Sequence, residues 1–356
     1  MYKNFLYMAV VAGTVLTSCQ HQVAIPHEFT IRGEVPLPDG YEVGLVVQTD
    51  TANSVSIGED VVIKDGTFVI TGSIDAPVQG TLMTNNLRLV EQNGWPLDSI
   101  HWTYSEVFVS GGKLECKHVP GRPLTSDASP FRLTGTQVQA DYNDLLDAGG
   151  ERNADLWAFI DAHPQSAVSV WLAQRLLQRA YRLTGEQVAH LERTITACPD
   201  DTAGLHRLRD LLPVAAETVP GKPVADLELL DTEGKIHRLT EVLPKGKYVL
   251  VDFWASWCGI CIYWMDTVAQ LAHDHADVLE VVSVSIDTDD AAWRDGMARK
   301  PEPWAQYVTT EKGYAELFAT YRVGNGVPYY LLVGPDGKVV ASPEDPVQAG
   351  KMIKNK

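Results

Sequence analysis

Cysteine is scarce, with five in 356 residues. A small fold held together by a dense disulfide framework is therefore excluded, and each cysteine needs its own account. Metal-ligand spacing is scarce as well. Cys258 and Cys261 form a Cys-x-x-Cys pair, but there is no second such pair and no His-x-x-x-His to complete a four-ligand zinc site. No metal and no organic cofactor are expected. Positive charge is short: 29 Lys and Arg against 46 Asp and Glu leave a net charge of −17. Such a surface repels phosphate, which excludes nucleic acid as a partner and disfavours electrostatic attachment to an anionic membrane. Long apolar runs are missing beyond the first nineteen residues, so no later segment is expected to cross a bilayer. What is plentiful is ordinary core material. The hydrophobic fraction of 45% over this length fits two or three folded units.

The N-terminus has a composition of its own. Lys3 provides a thin positive start and Phe5 to Leu16 an apolar stretch too short to span a membrane, as in a signal peptide over residues 1–18. It ends Leu16-Thr17-Ser18-Cys19, which resembles a bacterial lipobox. That resemblance implies lipidation of Cys19, a short tether over 19–27 and attachment to the membrane through the lipid. Gln20-His21-Gln22 follow, with no acidic run of the kind that directs lipoproteins to the cell surface. The expected location is the cell envelope, lipid-anchored and facing the periplasm.

Residues 28–135 read as an antiparallel β domain. Phe29 to Val35 alternates, Val43 to Gln48 and Val61 to Ile63 follow, and Lys64-Asp65-Gly66-Thr67 carries the Asp-Gly of a tight turn into Phe68–Gly72. Glu106 to Val109 and Lys113 to Lys117 read as a further hairpin around Gly111-Gly112. The aromatic cluster His101, Trp102 and Tyr104 is either ligand-binding or plain core and rim. The pattern Phe-x-Ile-x-Gly, then Asp-Gly-x-Phe, resembles the β-rich N-terminal domain of Bacteroidetes lipoproteins. Residues 136–212 change to helical spacing, with stripes at Val168, Trp171, Leu172, Arg175 and Leu176, at Val188, Leu191 and Ile195, and at Leu205, Leu208, Leu211 and Leu212. They predict a connector of three or four helices, with Thr184 and Gln187 spaced as a capping box. Cys116 and Cys198 are left over and could pair or stay as free thiols. Pro213 to Pro223, with three prolines, predicts a linker before a last unit over 224–356.

Within that last unit Tyr248-Val249-Leu250-Val251-Asp252-Phe253 is an apolar run with one acid inside, the pattern of a buried strand. Met265, Val268, Ala269, Leu271 and Ala272 keep helical spacing after it. Cys258 and Cys261 therefore fall where a strand turns into a helix. Unpaired N–H groups and the positive end of the helix dipole stabilise a thiolate there. A structural disulfide is the bland alternative. Asp252, if buried, has a raised pKa through desolvation and suits proton transfer near neutral pH; an edge-facing acid is its alternative.

The stretch Val-Asp-Phe-Trp-Ala-Ser-Trp-Cys-Gly-Ile-Cys, 251–261, resembles the active-site segment of thioredoxin. The longer context resembles membrane-anchored TlpA/ResA-type thiol–disulfide oxidoreductases. The resemblance implies an α/β thioredoxin-like domain with a central mixed sheet flanked by helices. It implies a redox-active disulfide, Cys258–Cys261, with Cys258 attacking, Cys261 resolving and Asp252 shuttling the proton. Trp254, Trp257, Gly259 and Ile260 would shape the client surface. Val327-Pro328 would supply a cis bond and a backbone edge on which an extended client docks. Implied partners are protein disulfide clients of the envelope and a membrane electron donor.

Departures narrow the comparison. Ile260 stands where proline is familiar and keeps an N–H that could donate toward the thiolate. Trp264 and Asp266 replace the Glu and Pro of ResA-like members, and Ser283 replaces a lysine near the buried acid. A thiol peroxidase would need Pro and Thr or Ser where Val251 and Ala255 stand. A partner-binding module in which the redox unit is auxiliary is the remaining alternative.

Overall fold

The computed structural model describes residues 27–48, 54–178, 182–195, 202–321 and 326–354. Cys19, Cys198, Gly324 and Asn325 lie outside the described residues, as do the expected signal peptide and nearly all of the tether.

The first unit is a sandwich of two four-stranded sheets. Its strands are β1 (His27–Glu34), β2 (Glu42–Gln48), β3 (Ser54–Val62), β4 (Thr67–Ile74), β5 (Val78–Asn85), β6 (Trp102–Val109), β7 (Gly112–His118) and β8 (Phe131–Thr134). A short helix, α1 (Leu87–Asn93), interrupts them. The sheets run β4-β1-β7-β8 and β3-β2-β5-β6. Phe29, Ile31, Leu45, Ile70, Leu82, Val107, Leu114 and Leu133 fill the space between them. Alternation puts every second residue of each strand inside. The Lys64–Thr67 turn forms as expected: Asp65 and Gly66 both have positive φ, and Lys64 and Thr67 exchange backbone hydrogen bonds. Two expectations are corrected. β1 and β7 pair parallel, so the unit is not wholly antiparallel. β6 and β7 do not form a hairpin: β6 pairs with β5, while β7 pairs with β1 and β8. The positive φ of Gly111 and Gly112 carries the chain from one sheet to the other.

The helical unit comprises α2 (Gln137–Asp147), α3 (Gly150–Asn153), α4 (Leu156–Ala162), α5 (Ala167–Leu177), α6 (Gly185–Ile195) and α7 (Thr202–Thr218), more helices than the stripes predicted. The short α3 and α4 carry too few turns for a visible periodicity. The capping box is present: Gln187 N–H donates to Thr184 Oγ1 and Thr184 N–H to Gln187 Oε1. The expected linker is shorter than predicted, because α7 runs through Pro213 to Thr218. Proline removes one helical hydrogen bond, but Leu208, Leu212 and Ala215 stay buried on one continuous face across it. Cys116 is a buried free thiol in the β sandwich, and its pKa is pushed up to about 12 by burial.

The C-terminal unit is a seven-stranded mixed sheet. It contains β9 (Glu228–Leu230), β10 (Ile236–Arg238), β11 (Tyr248–Trp254), β12 (Leu279–Ser285), β13 (Ala305–Thr309), β14 (Tyr329–Val333) and β15 (Val339–Ala341), in the order β10-β9-β13-β12-β11-β14-β15. β11, β12 and β13 are parallel and central; the outer pairs are antiparallel. Its helices are α8 (Leu239–Val242), α9 (Gly259–Asp274), α10 (Asp290–Arg299), α11 (Glu311–Tyr321) and α12 (Pro346–Lys354). One face of the sheet, Leu250, Val281, Tyr330 and Leu332, packs against Val268 and Leu271 of α9 and Ala349 and Ile353 of α12. The opposite face, Val249, Val251, Phe253, Val282 and Val284, packs against Leu239, Trp293, Leu317 and Tyr321. The tail forms a closing helix, α12. Asp345 Oδ1 accepts from Gln348 N–H and Pro346 opens the first turn. Among the described residues, no helix is long and apolar enough to cross a membrane.

Candidate functional site

β11 ends at Trp254, and the chain turns through Ala255 to Trp257 into α9. Cys258 is the N-cap residue of that helix, and its Sγ accepts from Cys261 N–H at 3.2 Å. The expected donor was Ile260; the N-cap geometry gives the role to the third residue of the helix instead. Cys258 and Cys261 are joined by a disulfide, with Cα atoms 5.2 Å apart. Both are nearly buried, at 5% and 3% exposure. Around this covered pair the surface is apolar and open: Trp257 is 67%, Ile260 51% and Tyr263 68% exposed. Gly259 is exposed at the helix start. Tyr263, in T-shaped contact with Trp264, was not among the expected surface residues.

Trp254 is a correction. It is the last residue of a central strand, 1% exposed, and cannot shape the client surface. It lies beneath α10, where a Cβ on Gly296 would come within 3.1 Å of its ring.

The Val327–Pro328 peptide bond is cis, and the Val327 carbonyl oxygen lies 3.4 Å from Cys258 Sγ. Both residues are half-buried, just before β14. Chain segments 69 residues apart thus meet at Cys258 Sγ.

Asp252 is buried, at 3% exposure. It is two residues from Leu250 in the strand and so shares its face, toward the α9–α12 layer. Its register partners are Ser283 on β12 and Tyr330 on β14. Ser283 Oγ donates to Asp252 Oδ2 at 3.3 Å and accepts from Trp304 Nε1 at 2.8 Å. Desolvation pushes the Asp252 carboxyl up to about 7. The Ser283 hydrogen bond opposes that rise and the Glu302 charge adds to it. Burial first, and the Asp252 charge second, also hold the Tyr330 phenol well above its ordinary value. A buried carboxyl with its pKa raised toward neutral therefore lies on the sheet face covered by the helix that carries the cysteines.

Residues 246–339 match the thioredoxin-like family. That span holds both cysteines, Asp252 and the cis proline. Over 47 residues, 13% of this chain, the sequence is 49% identical to a thioredoxin from Griffithsia pacifica, of which it covers 43%. The chain thus spans less than half the length of that curated relative. The thioredoxin domain of a thiol-disulfide oxidoreductase from Bacteroides vulgatus matches 38% of this chain and 96% of its own, at 24% identity and a TM-score of 0.35. A thioredoxin-like protein from Bacteroides caccae matches 61% of this chain and 82% of its own, at 15% identity and a TM-score of 0.45. The family match over 246–339 makes the C-terminal unit the thioredoxin-like one, a mixed sheet flanked by helices and preceded by the β-rich and helical units.

No group of three or more potential metal ligands occurs among the described residues. The aromatic cluster of the β sandwich is half in, half out: His101 and Tyr104 are exposed, Trp102 is half-buried, and the Trp102 and Tyr104 rings stack 6.2 Å apart. It lies in a different unit from the disulfide and adds nothing to that site. Sequence reasoning also missed Ser256, Asp287 and Arg299, which meet beside the disulfide loop. The available signal was an acid, Asp287, just past the carboxyl end of a buried parallel strand, where such sheets place their functional groups.

Proposed function

We propose that this chain is a thiol–disulfide oxidoreductase of the cell envelope, held to the membrane through lipid on Cys19, that reduces protein disulfides through Cys258 and Cys261. The observation that carries the reading is the covered Cys258–Cys261 pair at the start of α9, with the Val327 carbonyl 3.4 Å from Cys258 Sγ. In the reduced chain the Cys258 thiolate attacks one sulfur of a client disulfide. A mixed disulfide forms and the first client thiolate leaves, taking a proton from water. Asp252 accepts the proton of Cys261. The Cys261 thiolate then attacks Cys258 Sγ, the Cys258–Cys261 disulfide forms, and the second client thiolate leaves. Two electrons pass to the client. A membrane dithiol donor restores the pair by the same exchange in reverse. The exposed Trp257, Ile260 and Tyr263 support clients that present apolar side chains beside the disulfide.

Reduction of insulin by dithiothreitol, with and without the full chain, tests this. The chain accelerates it and Cys258→Ser abolishes the acceleration; pre-reduced Cys261→Ser, mixed with insulin after the dithiothreitol is removed, stops after one equivalent with the client trapped on Cys258. A parent chain no faster than dithiothreitol alone would sink the proposal. A reduction potential near −270 mV supports the reductive direction, whereas one near −120 mV reverses it. Cys19→Ala moves the chain out of the membrane fraction; unchanged fractionation removes the lipid tether.

A further inference from the structure

Ser256, two residues before Cys258, has every polar group engaged. Its N–H donates to Asp287 Oδ2 at 2.8 Å and its hydroxyl to Asp287 Oδ1 at 2.8 Å. Its carbonyl accepts from Arg299 Nη2 at 3.0 Å. Asp287 is 5% exposed and is itself fixed by Ser285, whose hydroxyl donates to Oδ2 at 2.7 Å and accepts from the Asp287 N–H at 2.9 Å. α10 then seats directly on the loop: a Cβ on Gly296 would come within 2.9 Å of Ser256 Cβ. The other end of the loop closes on Cys258, whose N–H donates to Ala255 O at 3.0 Å. Burying the Asp287 carboxylate costs desolvation, which its bonds from Ser256 and from Ser285 offset. The sheet thus holds the loop through Ser256.

We propose that Asp287 is a positioning residue: acting through Ser256, it sets where Cys258 sits against the first turn of α9, and so how well the N–H of Cys261 supports the Cys258 thiolate. The proposal rests on Cys258 being the attacking thiol. Asp287 need not touch the client. Its charge alone would act the other way, since a carboxylate near a thiolate disfavours it. Position and charge therefore predict opposite signs.

The test compares Asp287→Ala and Asp287→Asn in the reduced full-length chain. The rate of iodoacetamide alkylation at Cys258, assigned by mass spectrometry, is read with the reduction potential of the pair. Asp287→Ala frees the loop and slows alkylation by about tenfold, the scale of one hydrogen bond to a charged acceptor. Asp287→Asn retains an acceptor for the Ser256 N–H and restores at least half of that loss on a logarithmic scale. The potential moves in the same order. Ser256→Ala, which keeps the backbone bond and the charge, gives a smaller loss than Asp287→Ala and checks the result in a chain whose sheet is untouched. Unchanged alkylation in Asp287→Ala overturns the proposal. So does an equal increase in both Asp287 variants, which would make Asp287 a charge, and so does an equal decrease, which would make it a general packing element. Insulin reduction is measured separately on the parent. A parent inactive on insulin but with alkylation that follows Asp287 leaves the positioning role standing and removes the oxidoreductase reading instead.

Discussion

Replacing Asp252 with Asn keeps the shape of the side chain and removes its charge. The carboxyl moves from an ordinary 3.8 in the unfolded chain to about 7 in the folded one, chiefly through desolvation. An acid whose folded pKa is raised binds more protons folded than unfolded, so its contribution falls as pH rises through the window between the two values. Below the unfolded value the neutral acid has no penalty; above the folded value the full penalty applies. A difference of roughly three pH units corresponds to about 4 kcal/mol at pH 8. Between pH 5 and pH 8 roughly 2 to 3 kcal/mol of stability is lost through this one group. Urea unfolding of the oxidised parent and of Asp252→Asn at both pH values measures it, because the double difference cancels the titrating groups that do not interact with Asp252. The variant is expected to be more stable than the parent at pH 8, with the gap narrowing by roughly that amount at pH 5. It is also expected to lose the acceptor for the Cys261 proton and so to release mixed disulfides slowly at neutral pH. A double difference below about 0.5 kcal/mol would show that Asp252 is solvated, and the argument for its role as proton acceptor would go with it.

Ser283→Ala removes the hydrogen bond that holds the Asp252 pKa down and leaves Trp304 Nε1 without its acceptor. The pH transition should move upward, and the chain should lose about 1–2 kcal/mol at pH 5 in the same urea assay; a downward move would contradict the assigned cause. Gly313→Ala drives a methyl group into the Glu228 carbonyl where α11 lies on β9. A loss of about 3 kcal/mol is expected by thermal or urea unfolding, and an unaffected chain would mean that the helix can slide on the sheet.

The redox centre was legible in the sequence because its cues are local. A buried strand, a turn and a helix follow one another within 27 residues, from Tyr248 to Asp274, and place Cys258 and Cys261 at the junction. The burial of Asp252 followed from the apolar residues on both sides of it. What failed depends on partners far away in the chain. β6 and β7 are close in sequence, but each gains more by pairing within its own sheet. Pro213 breaks helices in isolation, yet the buried face of α7 carries the helix through it. Trp254 resembles its exposed neighbour Trp257 in composition only; the strand end turns it under α10. The closing helix α12 has a readable start in Asp345-Pro346.

The stretch between α7 and β9 has a consequence for how the C-terminal unit is joined to the helical one. Gly221 N–H donates to Val339 O, Val339 N–H to Lys222 O, and Val224 N–H to Gly337 O. Residues 221–224 are thus stitched along β15 as an eighth, irregular edge of the sheet, and α7 abuts α11 on the way in. A segment rich in proline and predicted to be a linker is instead held by the sheet it leads into, and only Val219 and Pro220 lie between the end of α7 and that seam. The stretch free to act as a linker is thus two residues long.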